Sequence, residues 1–496
     1  MRRQVVPNGV RGTLVLVALL LAGAGCGSSG GDDWPSANAD LASTRAATGA
    51  LIDEENAGRL AVRWRFRFRG KGTDFGLLTA TPVVVGDTVY IQDSKSSVFA
   101  IDRETGRLRW TRRYAAPNDG PNGVAVANGR VFGATDTTAF ALDAGTGERL
   151  WSQRLADSDE QFVDIAPVLD DGRVYLSTVG FAPGGRGALY ALDAETGRRV
   201  WKFDTIKQPW PHPFAGGGGS WYPLSVDDEG NVYAGISNPG PWGGSEKFPN
   251  GGWFRGSTLY TDSLVVLEGA TGKLLWYDQV LRHDVRDYDF HLSPILARLE
   301  DSGREVVFGA GKAARVIAWD RRSRERLWER AVGTHRNDTG PLPVTPVTVC
   351  PGLFGGALTP MAYAGGTLFV PVVELCMRES AVKSFSVLQR PPEGGKGVLY
   401  ALEAATGKTR WSHRFGSALF GCATVSRDVV FAPTFDGRVW ALSARTGRVL
   451  WSARARAGIN ACPAVTGDLL LVAAGARHRD FAQPVAELIA YGLTEG

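Results

Sequence analysis

The fold is decided by the stretch Ala100-Ile-Asp-Arg-Glu-Thr-Gly-Arg-Leu-Arg-Trp110, which recurs along the chain in seven copies. The other six keep its order of apolar residues, a turn and a Trp, and they cover residues 141–151, 191–201, 266–276, 318–328, 401–411 and 441–451. An eighth Trp, Trp64, ends what resembles half of a further copy. With 15 Trp, 63 Gly and 3 Met among 496 residues, the composition suits many tight turns and argues against a helical protein.

Each copy has the pattern of a β-hairpin. Asp102 and Thr105 can hydrogen-bond the turn backbone, and Gly106 supplies the positive φ of a tight turn. Six of the seven copies keep the Thr-Gly pair, whereas the fifth has Ser323-Arg324. Because a non-Gly residue held at positive φ costs about 1 kcal/mol or more, we expect an altered turn in the fifth copy.

Two further strand-like runs precede each copy, for example Thr81-Pro-Val-Val-Val and Thr88-Val-Tyr-Ile. Four short strands in about 40 residues are typical of a propeller blade. The eight Trp residues therefore predict an all-β, eight-bladed propeller over residues 55–496. We expect the Trp64 strand to complete the last blade, whose other strands come from the C-terminus, and the Trp residues to pack between blades rather than act in catalysis.

The N-terminus has the features of a secretion signal. Three Arg residues precede the apolar run Thr13 to Ala22, which is too short to span a bilayer, and Cys26 follows small residues as in a lipobox. We predict a lipoprotein signal peptide over residues 1–26 with Cys26 lipidated, then a flexible tether and lead-in over 27–54. The alternative is a plain signal peptide. Either predicts an extracytoplasmic protein, and the first anchors it to the bacterial membrane by lipid alone.

Charge and cysteine content narrow the possible functions. The chain has 55 Lys+Arg against 51 Asp+Glu and only short basic runs, which argues against nucleic acid as a partner. The four Cys residues other than Cys26 can form disulfides in an oxidising compartment. We predict Cys350–Cys376, which flank one insertion, and Cys422–Cys462, which stand at the same point of adjacent repeats.

From about Asn38 to the C-terminus, the repeat resembles the quinoprotein dehydrogenases, eight-bladed propellers that bind pyrroloquinoline quinone (PQQ). Two segments between Trp201 and Trp276 carry more specific likenesses. Gly216-Gly-Gly-Gly-Ser-Trp221 resembles the segment whose Trp stacks beneath the quinone, and Tyr233-Ala-Gly-Ile-Ser-Asn-Pro-Gly-Pro-Trp242 resembles one whose Asn, here Asn238, ligates a metal. Without the resemblance, Trp221 is a core residue and Asn238 a turn residue before a proline.

Two later segments extend the likeness. His283-Asp-Val-Arg-Asp-Tyr-Asp289 resembles the segment that carries the family's catalytic base, here Asp287, which also borders the metal. Gly309-Ala-Gly-Lys312 resembles the segment whose Lys or Arg hydrogen-bonds the quinone oxygens. The resemblance implies PQQ and Ca²⁺ or a lanthanide as cofactors, and that Trp221, Asn238, Asp287 and Lys312 line one pocket of a few hundred Å³. Otherwise the acids and Lys312 are solvated surface residues.

A metal ligand of the family is missing. The segment that should carry a Glu reads Gly180-Phe-Ala-Pro-Gly-Gly-Arg-Gly187, with Ala182 or Pro183 at its place. Because affinity for Ca²⁺ depends partly on the number of charged ligands, we expect weak metal binding. Asp164, in the same blade, is a candidate to compensate.

Further departures affect the quinone site. Arg286 replaces a Trp, the stretch Ala116-Pro-Asn-Asp-Gly-Pro-Asn-Gly123 lacks the adjacent Cys pair that covers the quinone in many members, and Asn122 replaces an Arg. Residues 355–360 lack the family's Asn-Trp.

Two functional hypotheses follow. The chain is a monomeric quinoprotein-like dehydrogenase that oxidises an alcohol or a sugar with reduced activity, or it is a non-catalytic propeller lipoprotein that binds a ligand or an envelope protein. Similar repeats occur in an outer-membrane assembly lipoprotein, so the repeat alone does not decide between them.

Overall fold

The computed structural model describes residues 33–180, 184–207, 215–252, 254, 256–382 and 394–494. The predicted signal peptide with Cys26, and the positions Ala182 and Pro183, lie outside these residues. Within them no helix is long and apolar enough to cross a membrane. The two helical segments are 3₁₀ turns at Ala57–Arg59 and Pro249–Gly251.

The strands form eight antiparallel four-stranded blades in chain order, which confirms the predicted propeller. Blades I to IV, from the innermost strand outward, are Val83–Val85, Thr88–Gln92, Val98–Asp102, Leu108–Arg112; Ala125–Ala127, Arg130–Ala134, Thr138–Asp143, Arg149–Arg154; Val168–Asp170, Arg173–Gly180, Ala188–Asp193, Arg199–Asp204; and Ser225–Val226, Asn231–Gly235, Ser263–Glu268, Leu274–Gln279. Blades V to VIII are Ile295–Arg298, Glu305–Gly309, Arg315–Asp320, Arg326–Ala331; Ala362–Ala364, Thr367–Glu374, Lys396–Glu403, Thr409–Phe415; Thr424–Ser426, Val429–Pro433, Arg438–Ser443, Val449–Arg454; and Ala464–Thr466, Leu469–Ala474, Glu487–Leu493, Leu60–Arg67. Short strands lie outside the blades at Ala46–Ala47, Gln161–Phe162, Gly216–Gly217, Pro239–Gly240, Val347–Val349 and Met377–Glu379.

Blade VIII joins the two ends of the chain. Its outer strand, Leu60–Arg67, pairs antiparallel with Glu487–Leu493 over its whole length, with Trp64 opposite Ala490. The ring is therefore closed by the N-terminal strand, as the Trp series predicts.

The blade Trp residues hold neighbouring blades together. Seven of the eight donate the indole N–H to a backbone carbonyl of the next blade at 2.8–3.0 Å. Six of these seven rings also cover the turn Gly of that blade: at Gly147, which has φ +74°, an added Cβ would lie 2.5 Å from Trp110. Each of these Trp residues thus contacts the neighbouring blade at its turn, which confirms their structural role.

The expected alteration of the fifth turn is wrong. Arg324 has φ +65° and its amide donates to Asp320 O at 2.8 Å, the bond that Gly106 makes to Asp102 O in the first copy. The Asp320 carboxylate also accepts the Ser323 amide at 2.7 Å. The paired strands on both sides impose the turn, and Arg324 takes the left-handed conformation at a cost of about 1 kcal/mol.

Substitutions at these turns should separate strain from packing. We expect Gly447→Ala to lower the free energy of unfolding by about 2 kcal/mol or more, because its Cβ would lie 2.6 Å from Trp411 at φ +72°. Arg324→Gly is the matched control, and its effect should stay within about 1 kcal/mol because relieved strain offsets the flexibility of Gly in the unfolded chain. Urea denaturation measures both. Equal losses in the two variants would contradict the packing role of the turn Gly.

The lead-in winds around the axis inside the ring. Its backbone bonds one residue in each of six innermost strands, in the order of the blades: Trp34 with Val84, Pro35 with Val126, Leu41 with Val226, Ala42 with Leu296, Thr44 with Tyr363, and Arg45 with Val425. Each bond uses the edge of an innermost strand that would otherwise lack a partner. From Asp33 onward the predicted tether is therefore a packed part of the propeller rather than a flexible segment.

Arg45 fixes this lead-in at the centre of the molecule. It is fully buried, and its guanidinium donates to acceptors on the lead-in and on two blades. These are Ala37 O, Asn38 Oδ1, Ala423 O, Thr424 Oγ1 and Pro463 O, at 2.6–3.0 Å. Burial lowers the pKa of Arg45 to about 9, because its hydrogen-bond partners are neutral.

Both predicted disulfides have the pairing that the sequence suggested. Cys350 is bonded to Cys376 with Cα atoms 4.5 Å apart, and Cys422 to Cys462 with Cα atoms 4.7 Å apart. The first ties the loop before blade VI to that blade, and the second joins blades VII and VIII near the axis.

Candidate functional site

The loop that carries Asp287 leads from blade IV to blade V. Its shape is set by Asp284, whose carboxylate accepts the Arg286 amide at 2.8 Å and the Tyr288 amide at 2.5 Å. Asp287 itself has φ +61°. The Arg286 guanidinium donates to three backbone carbonyls of residues 337–340, so this replacement of the family's Trp holds two loops together.

Three of the four predicted site residues meet in one hydrogen-bonded cluster. The Asp287 carboxylate accepts Lys312 Nζ at 2.6 Å and Asn238 Nδ2 at 2.7 Å. Asp289 had no predicted role. Its carboxylate contacts Lys312 Nζ at 2.5 Å and accepts the backbone N–H of Asn238 at 2.9 Å. The side chains of Lys312, Asp287 and Asp289 are only 14%, 11% and 3% exposed. The alternative of solvated surface residues is therefore wrong for Asp287 and Lys312.

The Gly-rich segment that ends at Trp221 approaches this cluster through the next residue, Tyr222, which we did not predict. The ring contact described for Trp221 is with Phe162, at 5.8 Å between centroids. Its neighbour Tyr222 donates its hydroxyl to Leu358 O at 3.0 Å and lies 5.6 Å from the ring of His291. The His291 Nδ1 in turn lies 3.1 Å from the carbonyl oxygen of Asp289.

Asp262 is a second unpredicted residue. It is fully buried at the start of the third strand of blade IV, and its amide donates to Ser237 O at 3.0 Å, beside Asn238. Neither of its carboxylate oxygens accepts a hydrogen bond in good geometry. Burial raises the pKa of Asp262 well above its usual value, and the nearby acids of the Asp287 loop raise it further. No motif marks this residue, because its neighbours lie more than twenty positions along the chain.

The cluster contains more acid than base. Burial raises the pKa of Asp287 to about 7 and that of Asp284 to about 6, with Lys312 opposing both shifts. For Asp289 the Lys312 ammonium outweighs burial and lowers the pKa. Burial also opposes the charge of Lys312, but the two carboxylates outweigh it and raise its pKa. The site therefore favours an additional positive charge, whether protons or a metal cation.

Glu379, near Arg286, offers a clean pH test. It is 2% exposed with neither carboxylate oxygen hydrogen-bonded, and burial raises its pKa to about 7. The folded state therefore keeps a proton that the unfolded state releases from about pH 4.5 upward, and stability is lost as pH rises toward 7. In the metal-free protein, we expect Glu379→Gln to stabilise by about 3 kcal/mol at pH 8 and little at pH 4.5. Urea unfolding at both pH values measures this. The exposed Glu325→Gln should show no such trend, and a pH-independent effect of Glu379→Gln would contradict the shift.

A separate cavity of about 130 Å³ lies on the axis. It is lined by residues that precede the innermost strands of six blades: Phe75, Thr79, Asp119, Gly120, Pro121, Tyr222, Phe354, Leu358, Thr359, Phe420, Asn460 and Cys462. None of Trp221, Asn238, Asp287 and Lys312 belongs to this lining, so this cavity is not the pocket that the four residues are predicted to line. Leu358 and Tyr222 stand between the cavity and the cluster.

The side chains around this cavity lack the family's quinone-binding features. Where the family has an Arg, Asn122 donates to Asp93 O at 3.0 Å and accepts the Thr79 hydroxyl at 3.2 Å. Asp164 is buried on this side, and burial together with Asp119 raises its pKa well above the usual value. Its described neighbours do not include the Asp287 cluster, so nothing places it as a substitute metal ligand.

The described residues fit a hard cation and the oxygen end of a quinone. The amide oxygen of Asn238 and the carboxylates of Asp287 and Asp289 are donors that such a cation prefers, and the unpaired carboxylate of Asp262 lies near them. Lys312 has three N–H donors, of which the two carboxylates use two. Among the described residues, no three His, Cys, Asp or Glu side chains already converge as a metal site. The axial cavity offers no Lys or Arg to quinone carboxylates.

Comparisons with known proteins identify the family and the fold. The model of the glucose/ethanol/alcohol dehydrogenase β-propeller domain matches residues 34–130 and 174–329, and that of the outer membrane protein assembly factor BamB matches residues 355–478. The quinohemoprotein alcohol dehydrogenase of Comamonas testosteroni is 30% identical over 58% of this chain and 45% of its own length. The match thus spans less than half of that relative. A quinoprotein ethanol dehydrogenase of Pseudomonas putida is 26% identical over 78% of this chain and 76% of its own. The solved structure of the Comamonas enzyme superposes with a TM-score of 0.79 at 25% identity, covering 93% of this chain and 80% of the other.

Proposed function

The chain belongs to the glucose/ethanol/alcohol dehydrogenase β-propeller family, and from this membership we propose that it is an extracytoplasmic, PQQ-dependent oxidoreductase acting on an alcohol or a sugar. The observation that carries the proposal is the buried cluster of Asn238, Asp287 and Lys312. The two disulfides support a location outside the cytoplasm. The lipid anchor at Cys26 and the monomeric state remain predictions.

In this proposal Asp287 is the general base. Each carboxylate oxygen already accepts one hydrogen bond, from Asn238 or from Lys312, and keeps a lone pair that can take the proton of a substrate hydroxyl. With its pKa raised to about 7 by burial, the carboxylate exchanges a proton near neutral pH. Asp289 holds Lys312 and the Asn238 amide, and so orients both partners of the base.

Asn238, Asp287 and Asp289 would hold the metal, and Lys312 would donate to the quinone oxygens. When bound, PQQ would supply the two-electron acceptor for the hydride of the alcohol carbon. The proton of the hydroxyl goes to Asp287, and the product is a carbonyl compound.

The test is reconstitution of the purified protein with PQQ and Ca²⁺ or a lanthanide. We expect calorimetric binding of PQQ and dye reduction that depends on an alcohol or an aldose. Asp287→Asn should lower the turnover rate by about 100-fold or more while retaining the cofactor. Asp301→Asn, an exposed residue of blade V, is the matched control and should behave as wild type. Equal turnover of Asp287→Asn and wild type would contradict the role of Asp287.

One observation favours a second candidate, a non-catalytic ligand- or protein-binding scaffold in the envelope. The axial cavity has Asp119 in its lining but no cation for quinone carboxylates. If wild type fails to bind PQQ even with excess metal, the dehydrogenase proposal falls and the scaffold remains.

A further inference from the structure

The axial cavity of about 130 Å³ combines aromatic rings with a single carboxylate. Four aromatic residues belong to its lining: Phe75, Tyr222, Phe354 and Phe420. Asp119 is the only charged side chain among the described lining residues, which include no Lys, Arg or His. The dehydrogenase proposal gives none of these side chains a role, so the cavity needs its own explanation.

The polar side chains of the lining direct hydrogen-bond donors to the protein rather than to the cavity. The hydroxyls of Thr79, Thr359 and Tyr222 donate to Asn122 Oδ1, Gly421 O and Leu358 O, and Asn460 Nδ2 donates to Phe75 O, all at 3.0–3.3 Å. A hydroxyl has one donor hydrogen and two lone pairs, so these three oxygens keep only acceptor capacity. Such a lining suits a positively charged ligand better than a carboxylate or another anion.

A second acid lies near Asp119 and also lacks a cation. Asp164 is 2% exposed, and burial raises its pKa well above the usual value. Asp119 and Asp136 raise that pKa further, and the Gly120 amide opposes them. Within the part of the chain that the structure describes, neither Asp119 nor Asp164 forms an ion pair. A cation in the cavity would therefore be stabilised by Asp119 and would favour the charged form of Asp164.

Two cations near Tyr222 are already engaged by other groups. Arg45 and Lys312 oppose the effect of burial, which raises the pKa of the Tyr222 hydroxyl. The Lys312 ammonium contacts the carboxylates of Asp287 and Asp289. The acceptors of Arg45 are all outside the cavity lining. These two cations therefore leave the carboxylate in the cavity lining available to a ligand.

We propose that the axial cavity binds a small organic ammonium ion. Aromatic rings attract such cations electrostatically, and quaternary ammonium groups are recognised in this way. A cavity of about 150 Å³ holds a molecule the size of benzene, so the volume here suits a quaternary ammonium of similar size. One carboxylate among aromatic rings is a poor site for a metal ion, which prefers several oxygen ligands. The proposal does not depend on the dehydrogenase activity, because Asn238, Asp287 and Lys312 are absent from the lining.

The experiment titrates the full mature protein with choline, by calorimetry and by thermal melting, without PQQ or added metal. We expect saturable binding and a rise in Tm for wild type. The neutral isostere 3,3-dimethylbutan-1-ol, which has carbon in place of the ammonium nitrogen, should bind at least tenfold more weakly. Because neither PQQ nor turnover is involved, a failure of the dehydrogenase proposal would leave this result unchanged.

Two variants locate the bound ion. Asp119→Asn, at an exposed position, should weaken choline binding at least fivefold, and Phe354→Leu, at a half-buried position, should weaken it several-fold. The matched controls are the exposed Asp301→Asn and the half-buried Phe248→Leu, which lie outside the lining and should bind as wild type.

Three results would overturn the proposal. Equal affinity for choline and its neutral isostere would mean that the cavity selects apolar groups and not charge. Unchanged affinity in both Asp119→Asn and Phe354→Leu would place the bound ion elsewhere. Absence of choline binding to wild type at millimolar concentration would show that the cavity does not take such a cation.

Discussion

A chain that begins at Thr81 is expected to lose the cooperative melting transition of a chain that begins at Asp33. The shorter chain lacks the strand Leu60–Arg67, which leaves the whole edge of Glu487–Leu493 unpaired. It also lacks the lead-in that bonds six innermost strands and the buried Arg45. Domains are stable by only about 5–15 kcal/mol, so these losses together should exceed the stability of the ring.

Circular dichroism melts and binding of a hydrophobic dye measure this. The chain from Asp33 is the control and should melt with the full mature chain, because the closing strand and lead-in are complete. A peptide of residues 55–72 added to the shorter chain should restore part of the transition. If the chain from Thr81 melts at the same temperature as its control, closure by the N-terminal strand is not what holds the ring.

Lys312→Met should be the most destabilising single substitution that we propose, at about 3–5 kcal/mol in the metal-free protein. The variant leaves the carboxylates of Asp287 and Asp289 buried next to each other without a cation. Urea unfolding measures the loss, and adding Asp289→Asn to the variant should recover part of it because one of the two charges is removed.

The chain contains a matched control for this substitution. Lys202 also lies between two carboxylates, those of Asp157 at 2.8 Å and Asp204 at 3.1 Å, but these acids are 59% and 63% exposed. Lys202→Met should therefore cost less than about 1 kcal/mol. Similar losses for the two Lys variants would mean that burial does not strengthen the Lys312 cluster.

The ring could be predicted from the sequence because its repeat encodes contacts between blades as well as turns. The Trp of one copy covers the Gly of the next, so a regular series of both implies a closed series of neighbours. The fifth turn shows the limit of local propensity: the ladder between Arg315–Asp320 and Arg326–Ala331 outweighs the cost of a positive φ at Arg324.

Only the site residues that lie in segments with family likeness could be predicted from the sequence. Asn238, Asp287 and Lys312 stand in segments with family likeness and do meet in the structure. Asp262 and Tyr222 were missed because burial and partners distant in sequence, rather than residue patterns, give them their place. The lead-in was missed for a related reason: its contacts with the blades are largely backbone hydrogen bonds, which leave no periodic trace in the side chains.

That lead-in also constrains the number of blades in the propeller. From Trp34 to Arg45, the bonded residues follow the order of six blades, at spacings of one to six residues. Repeat genes readily gain or lose units, and the outer strands alone would accept a ring with one blade more or fewer. After an inserted or deleted blade, each later residue of the lead-in would no longer lie opposite the strand that it bonds. Arg45 would then no longer face the carbonyls of Ala423 and Pro463. The lead-in thus restricts this chain to eight blades.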